Sequence, residues 1–339
     1  MESVDALVCL APGSLKVERR LAPKPGTGDA LVRPRRIGIC GTDYHIYEGK
    51  HPFLRYPRVM GHELAVEVVT APPASGLKAG DACVVNPYLA CGHCVACRAG
   101  KPNCCVTLSV LGVHQDGGMT GLLALPAGNL IPADGLSLDA CATVEFLAIG
   151  AHAVRRAAVT AGDKVLVSGA GPIGLGVALF ARLSGGEVAL FDPDPERAEA
   201  ARAVTGVTAF SASDDRDSAL RDFTSGEGFS VVFDATGNAR AMEGGFDAVA
   251  NGGRYVLVSV VMDPITFMDP DFHRKEMTLL ASRNATMADF ERVISAIREN
   301  KVPVDRLITH RTSLSAAAAD LPRWAGNKTG LVKALIELG

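Results

Sequence analysis

No stretch of this chain approaches the roughly 20 consecutive apolar residues that a membrane-spanning helix needs. The opening MESVDALVCL lacks the basic-then-apolar order of a secretory signal, so a cytoplasmic protein is expected. Charge of one sign is also missing. The 34 Lys and Arg stand against 37 Asp and Glu, a formal net charge of -3, which gives neither a nucleic acid nor an anionic membrane a surface to hold. Internal repeats and low-complexity linkers are absent, which argues against solenoids and tethered arrays.

What is present is the composition of a globular protein, 48% hydrophobic and 21% charged, and 339 residues are enough for two domains with a core each. Nine cysteines in a reducing compartment point to metal or chemistry rather than disulfides, and five of them fall between Cys91 and Cys105. Cys91, Cys94 and Cys97 at CxxCxxC spacing, with Cys105 after a short loop, supply four thiolates for a structural zinc. Spacing does not separate Cys105 from Cys104, and an iron–sulfur cluster is the chemical competitor.

Ahead of that lobe, Cys40-Gly-Thr-Asp-Tyr-His45 and Gly61-His62-Glu63 offer a thiolate, an imidazole and a carboxylate. Zinc takes this donor set in a catalytic site that keeps one position open for substrate. The surrounding text, rich in Pro and Gly, reads as short strands: 6–10, 15–18, 30–39, 63–70, 82–86, 108–114 and 122–125. An Ala-rich helix over 137–158 then carries Glu145 in otherwise apolar text, where a carboxylate is costly unless partnered, so Glu145 is a candidate further ligand.

From Lys164 the pattern becomes α/β. A buried strand (164–168) runs directly into Gly169-Ala-Gly171-Pro172-Ile173-Gly174 and a helix, and a second strand (187–191) ends in Asp192. Glycines between strand and helix, with an acid closing the next strand, are the dinucleotide-binding fingerprint. Asp192 suits both ribose hydroxyls and would repel a 2′-phosphate, so NAD is expected over NADP. The competing reading makes Asp192 a helix cap. Arg197 is expected to pair with Asp192, to reach the ribose or to stay solvated on its helix, and a turn at Thr236-Gly237 follows a further strand (231–234). A strand over 254–261 is apolar enough to pair across a two-fold axis in a homo-oligomer, and an internal strand would read the same way.

In order and spacing, the Cys40–His45 stretch, Gly61-His62-Glu63, the cysteine lobe and Gly169–Gly174 with Asp192 resemble the zinc-dependent medium-chain alcohol and polyol dehydrogenases over essentially the whole chain. Within that family, 56–63, 112–118, 151–156 and 282–286 look similar to bacterial dehydrogenases of sugar acids, the L-galactonate and L-gulonate 5-dehydrogenase type. Phe146 after Glu145 and Val66 depart from the family pattern.

The resemblance implies an α/β fold, a doubly wound parallel sheet beside a mostly β, barrel-like catalytic domain. The expected division is a catalytic domain over 1–150 with its lobe at 88–106, completed by 286–339, and a NAD-binding domain over 151–285. It implies two zinc ions per chain: Cys40, His62, Glu63 and Glu145 at the catalytic one, where either carboxylate exchanges with a bound water and which of them touches the metal stays open, and Cys91, Cys94, Cys97 and Cys105 at the structural one. A hydride passes from a secondary hydroxyl of a sugar acid or polyol to NAD, and Thr42 and His45 carry the proton to solvent. Asp43 would orient His62. Arg283 would hold Glu145 or a substrate carboxylate, with His114, His273 and Lys275 as the other polar hands. Rival readings are a threonine, sorbitol or galactitol dehydrogenase and, in another class, a non-catalytic nucleotide-sensing protein.

Overall fold

The strand Lys164–Ser168 (KVLVS) is buried along its length, as a strand covered on both faces must be. It sits inside a six-stranded sheet with the order Thr208–Phe210, Glu187–Phe191, Lys164–Ser168, Phe229–Asp234, Val249–Leu257, Thr278–Ala281. Every pairing in it is parallel. Numbered along the chain, this is the doubly wound order 3-2-1-4-5-6, whose direction reverses between Lys164–Ser168 and Phe229–Asp234, where such sheets bind nucleotides. The computed structural model describes residues 3–50, 54–133 and 135–339.

The chain divides into two units, residues 1–145 with 286–339 and residues 146–285, and the division falls inside the helix Leu138–Arg156. In the second unit Leu166, Ala189, Val232, Tyr255 and Phe246 form the core on one side of the sheet. The first unit is built on a seven-stranded mixed sheet with the path Leu130–Pro132, Ala82–Val85, Glu63–Thr70, Asp29–Ile39, Lys333–Glu337, Ile308–Ser313, and Leu123–Pro126 also pairs with Asp29–Ile39. A smaller sheet joins Ser14–Leu21, Ser3–Ala11 and Arg58–Val59. Alternating residues such as Leu64, Val66 and Val68 bury against Ile37, Met60 and Trp324, each worth about 1.5–3 kcal/mol when fully buried.

Two expectations need correcting. The apolar run 254–261 is strand only to Leu257 and is hydrogen-bonded on both sides within the chain, so the open edge belongs to Thr278–Ala281. In 108–114, only Ser109–Val110 is strand, because the Val110 amide donates to the ring of His114 and Gly112 takes a positive φ, turning the chain back. Among the described residues no helix is long and apolar enough to cross a membrane.

Candidate active site and metal centres

Cys40 ends the long strand Asp29–Ile39 and caps the helix Gly41–Tyr47. Asp43, in that helix's first turn, reaches back so that its Oδ2 accepts the Cys40 amide at 2.8 Å, fixing the thiol at the strand end. His62 and Glu63 open the neighbouring strand, and the register places Glu63 opposite Gly38. Cys40, His62 and Glu63 thereby bring ligand atoms within 4.8 Å of one another. His62 and Glu63 are buried.

Sequence reasoning missed the partner of Glu63. Lys333, on the chain's last strand, donates to Glu63 Oε1 at 2.6 Å and Oε2 at 2.7 Å, and to the Ile39 carbonyl at 3.3 Å. Both side chains are sealed from solvent, at 1% and 0% exposure. Burial alone would lower the Lys333 pKa, but the Glu63 and Cys40 charges outweigh it and hold the ammonium above its usual value. The one legible signal was Gly38: a Cβ there would lie 2.0 Å from Glu63 Oε2, so the strand must carry a glycine where the carboxylate crosses it.

Glu145 approaches from the helix Leu138–Arg156 and interacts electrostatically with His62 and Glu63. Burial, with the Glu63 charge adding to it against His62, pushes its pKa up to about 7. Its Oε1 accepts the Tyr88 hydroxyl, while its Oε2 is buried and unpartnered. Burial first, then the Glu145 charge, holds the Tyr88 phenol well above its ordinary range, so it remains a donor. The orphaned Glu145 oxygen, the unpaired Nδ1 of His62 and the borderline-soft donor set fit a zinc ion.

The proton-path residues are less uniform. Thr42 is half-buried in the first turn of Gly41–Tyr47. His45 is exposed, and partial burial of its ring together with the Lys328 ammonium holds its pKa below the usual 6.5, so it is neutral at pH 7 and able to accept a proton. Asp43 interacts electrostatically with His62, but no hydrogen bond joins them, since one Asp43 oxygen is spent on the Cys40 amide and Oδ1 is unpartnered. Arg283 lies exposed on the loop between Thr278–Ala281 and Met287–Arg298 in the second unit. His114 is tied into its own turn, and Lys275 donates to the carbonyls of Asp247 and Val249.

The cysteine lobe gathers Cys91, Cys94, Cys97 and Cys105 with sulfurs within 4.8 Å, Cys94 and Cys97 being 3.5 Å apart, and leaves Cys104 exposed. Ligands about 2.3 Å from one tetrahedral ion stand roughly 3.8 Å apart, so the lobe is sized for a single ion rather than an iron–sulfur cluster.

In the second unit, Gly171 caps the helix Pro172–Leu183 with Pro172 at its first position, and Ile173 follows. Gly174 must be glycine, since a Cβ would lie 1.9 Å from the Gly169 carbonyl oxygen. Asp192 is buried and accepts the amides of Ala170 (2.8 Å) and Asp194 (3.0 Å). The following helix is capped by Asp194, so capping does not explain Asp192. Each Asp192 oxygen keeps acceptor capacity for a ribose hydroxyl. Arg197 stands 3.9 Å from Asp192 Oδ2. Thr236 donates to Asp234, and Gly237, at φ 64°, donates to Ser259; Asp234 and Ser259 were not expected.

Residues 26–135 match the family model for the alcohol dehydrogenase GroES-like domain, and 172–299 that for zinc-binding dehydrogenases. The chain is 41% identical to L-galactonate-5-dehydrogenase of Escherichia coli (strain K12), over 99% of each. It belongs to the zinc-binding alcohol dehydrogenase family. Among solved members, L-idonate 5-dehydrogenase from Escherichia coli superposes with a TM-score of 0.91 at 25% identity over 99% of each chain. A short chain alcohol dehydrogenase from Escherichia coli CFT073, solved with NADH, gives 0.92 at 28% identity over 99% of each. Both solved structures thus share the whole fold with this chain.

Proposed function

We propose that this dehydrogenase oxidises a secondary hydroxyl of a sugar acid of the L-galactonate or L-gulonate type to a ketone, with NAD as hydride acceptor. The observation that carries the reading is the group of half-buried Cys40 with buried His62 and Glu63, with Glu145 beside it presenting a free oxygen. These four residues would hold the catalytic zinc, and Cys91, Cys94, Cys97 and Cys105 the structural one. When bound, the catalytic ion supplies Lewis acidity that lowers the pKa of a substrate hydroxyl, and NAD takes the hydride. Cys40 and His62 would hold the ion, and beside them Lys333 balances the charge of Glu63. Thr42 accepts the released proton at Oγ1, and His45, neutral at pH 7, passes it to solvent. Arg283 is the side chain suited to a substrate carboxylate, because its fork donates to two oxygens at once. Asp192 holds the adenosine ribose, Gly169–Gly174 the pyrophosphate, and Arg197, Thr236 and Gly237 line the nucleotide. Relatives with sugar-acid substrates in their names, such as the L-galactonate and L-idonate enzymes, support the aldonate class.

The test is NADH formation across a panel of L-galactonate, L-gulonate, sorbitol, galactitol and threonine. Aldonates should give the highest kcat/KM. A preference for threonine or a polyol would replace the substrate assignment, and no turnover with any, together with a single bound zinc, would favour the nucleotide-sensing reading.

Cofactor choice has its own test. Asp192→Ala removes two charge-assisted hydrogen bonds to the ribose, each worth about 1.5–3 kcal/mol, so KM for NAD should rise by roughly 100-fold or more and discrimination against NADP should shrink. Steady-state kinetics with both dinucleotides decide it; a wild-type enzyme that prefers NADP contradicts the assignment.

A further inference from the structure

Two buried carboxylates face the candidate metal group, and they are held in different ways. Lys333 takes both oxygens of Glu63 and cancels its charge. Glu145 meets only the neutral Tyr88 hydroxyl, on Oε1, and its Oε2 is buried without a partner. A lone phenol orients a carboxylate without cancelling its charge, and it leaves Oε2 of Glu145 open to a cation.

Tyr88 is fixed at both ends. Its amide donates to Asn86 Oδ1 at 3.1 Å and its carbonyl accepts from Asn129 at 3.3 Å. The short strand Tyr88–Leu89 pairs with Ser109–Val110, and these two strands bracket the cysteine lobe. The ring packs edge-on against Phe290, with centroids 6.2 Å apart and planes at 73°. The hydroxyl has little freedom to follow Glu145 elsewhere, and the carboxylate is therefore oriented by the phenol.

We propose that Tyr88 is a positioning residue of the metal centre: by holding Oε1 of Glu145 it makes Oε2 the oxygen that meets the zinc ion. The assignment rests on the reading of Cys40, His62, Glu63 and Glu145 as a zinc site. It concerns a residue outside the four ligands, on the strand that leads into the cysteine lobe.

Tyr88→Phe keeps the ring and its contact with Phe290 and removes only the hydroxyl. The experiment measures zinc release from the full-length, zinc-loaded enzyme to a chelator, with the lobe zinc as the internal control, and the visible spectrum of the Co2+-substituted protein. Release of the catalytic-site zinc should be on the order of 10–100-fold faster, the usual cost of losing a group that orients a ligand, with the lobe zinc and NAD affinity unchanged. Glu145→Gln still accepts the Tyr88 hydroxyl but has lost the charge, and in that background the Tyr88→Phe effect should fall to within about twofold. Wild-type release rates in Tyr88→Phe, or the same acceleration in both backgrounds, would overturn the assignment. If Cys40→Ser still binds as much zinc as wild type, the metal-site reading itself fails and takes this one with it. If Cys40→Ser loses one zinc while Tyr88→Phe behaves as wild type, only the role of Tyr88 falls.

Discussion

Replacing Cys40 by Ser, or His62 by Ala, should drop the zinc content from two ions per chain to one and abolish turnover, while NAD still binds. The two residues supply the soft and the imidazole donor from adjoining strand ends, and neither has a substitute within reach: among the described residues the other clustered thiols all belong to the lobe. Without the ion, nothing at the site lowers the pKa of a substrate hydroxyl, a contribution of several kcal/mol, so kcat should fall by roughly a thousandfold or more. Metal analysis, isothermal titration with NAD and single-substrate kinetics on the same preparation separate the effects. Undiminished rates in either variant would rule out the zinc role. A variant that lost both ions would instead show that the change had unfolded the first unit.

The second large effect concerns Lys333. Lys333→Met leaves the Glu63 carboxylate buried and unpaired, which costs about 3–5 kcal/mol when a partner is removed from an enclosed ion pair. In a domain of this size that corresponds to a fall in Tm on the order of 10 °C. The double variant Lys333→Met with Glu63→Gln should recover most of the loss, because the buried charge is gone. The pH dependence has a definite sign. Lys333 has its folded pKa raised above 10.5, so the pair's stabilisation is fully present below that value and fades only as pH rises through the higher folded value. Denaturant melts of the single and double variants at neutral pH test the claim, and a single variant within about 1 kcal/mol of wild type would contradict it.

Much of the architecture was legible locally. The strand Glu63–Thr70 and the strands Lys164–Ser168 and Glu187–Phe191 were bounded correctly by the apolar runs and the turn residues that flank them. The clustering of the four lobe cysteines was legible from spacing, because they sit on one short loop, and the geometry gathers Cys105 rather than Cys104 with the other three. The end of the strand at Leu257 was not, since an apolar run looks the same whether or not it keeps pairing. Asp43 was expected on the His62 ring and instead caps the helix after Cys40, a choice between two nearby donors that residue identity does not make.

Residue identities and their spacing set which chemistry was available: a thiol, an imidazole and carboxylates in a fixed order, four cysteines on a loop, and glycines where backbone must approach a phosphate. These are local properties, carried by residue type and by spacing over a few positions. How the buried charges are shared out is a property of the folded chain. Lys333 lies 270 residues from Glu63, and Tyr88 lies 57 from Glu145. Such pairs follow from strand register and helix placement, which sum weak interactions along the whole chain and leave no mark in any short stretch of it.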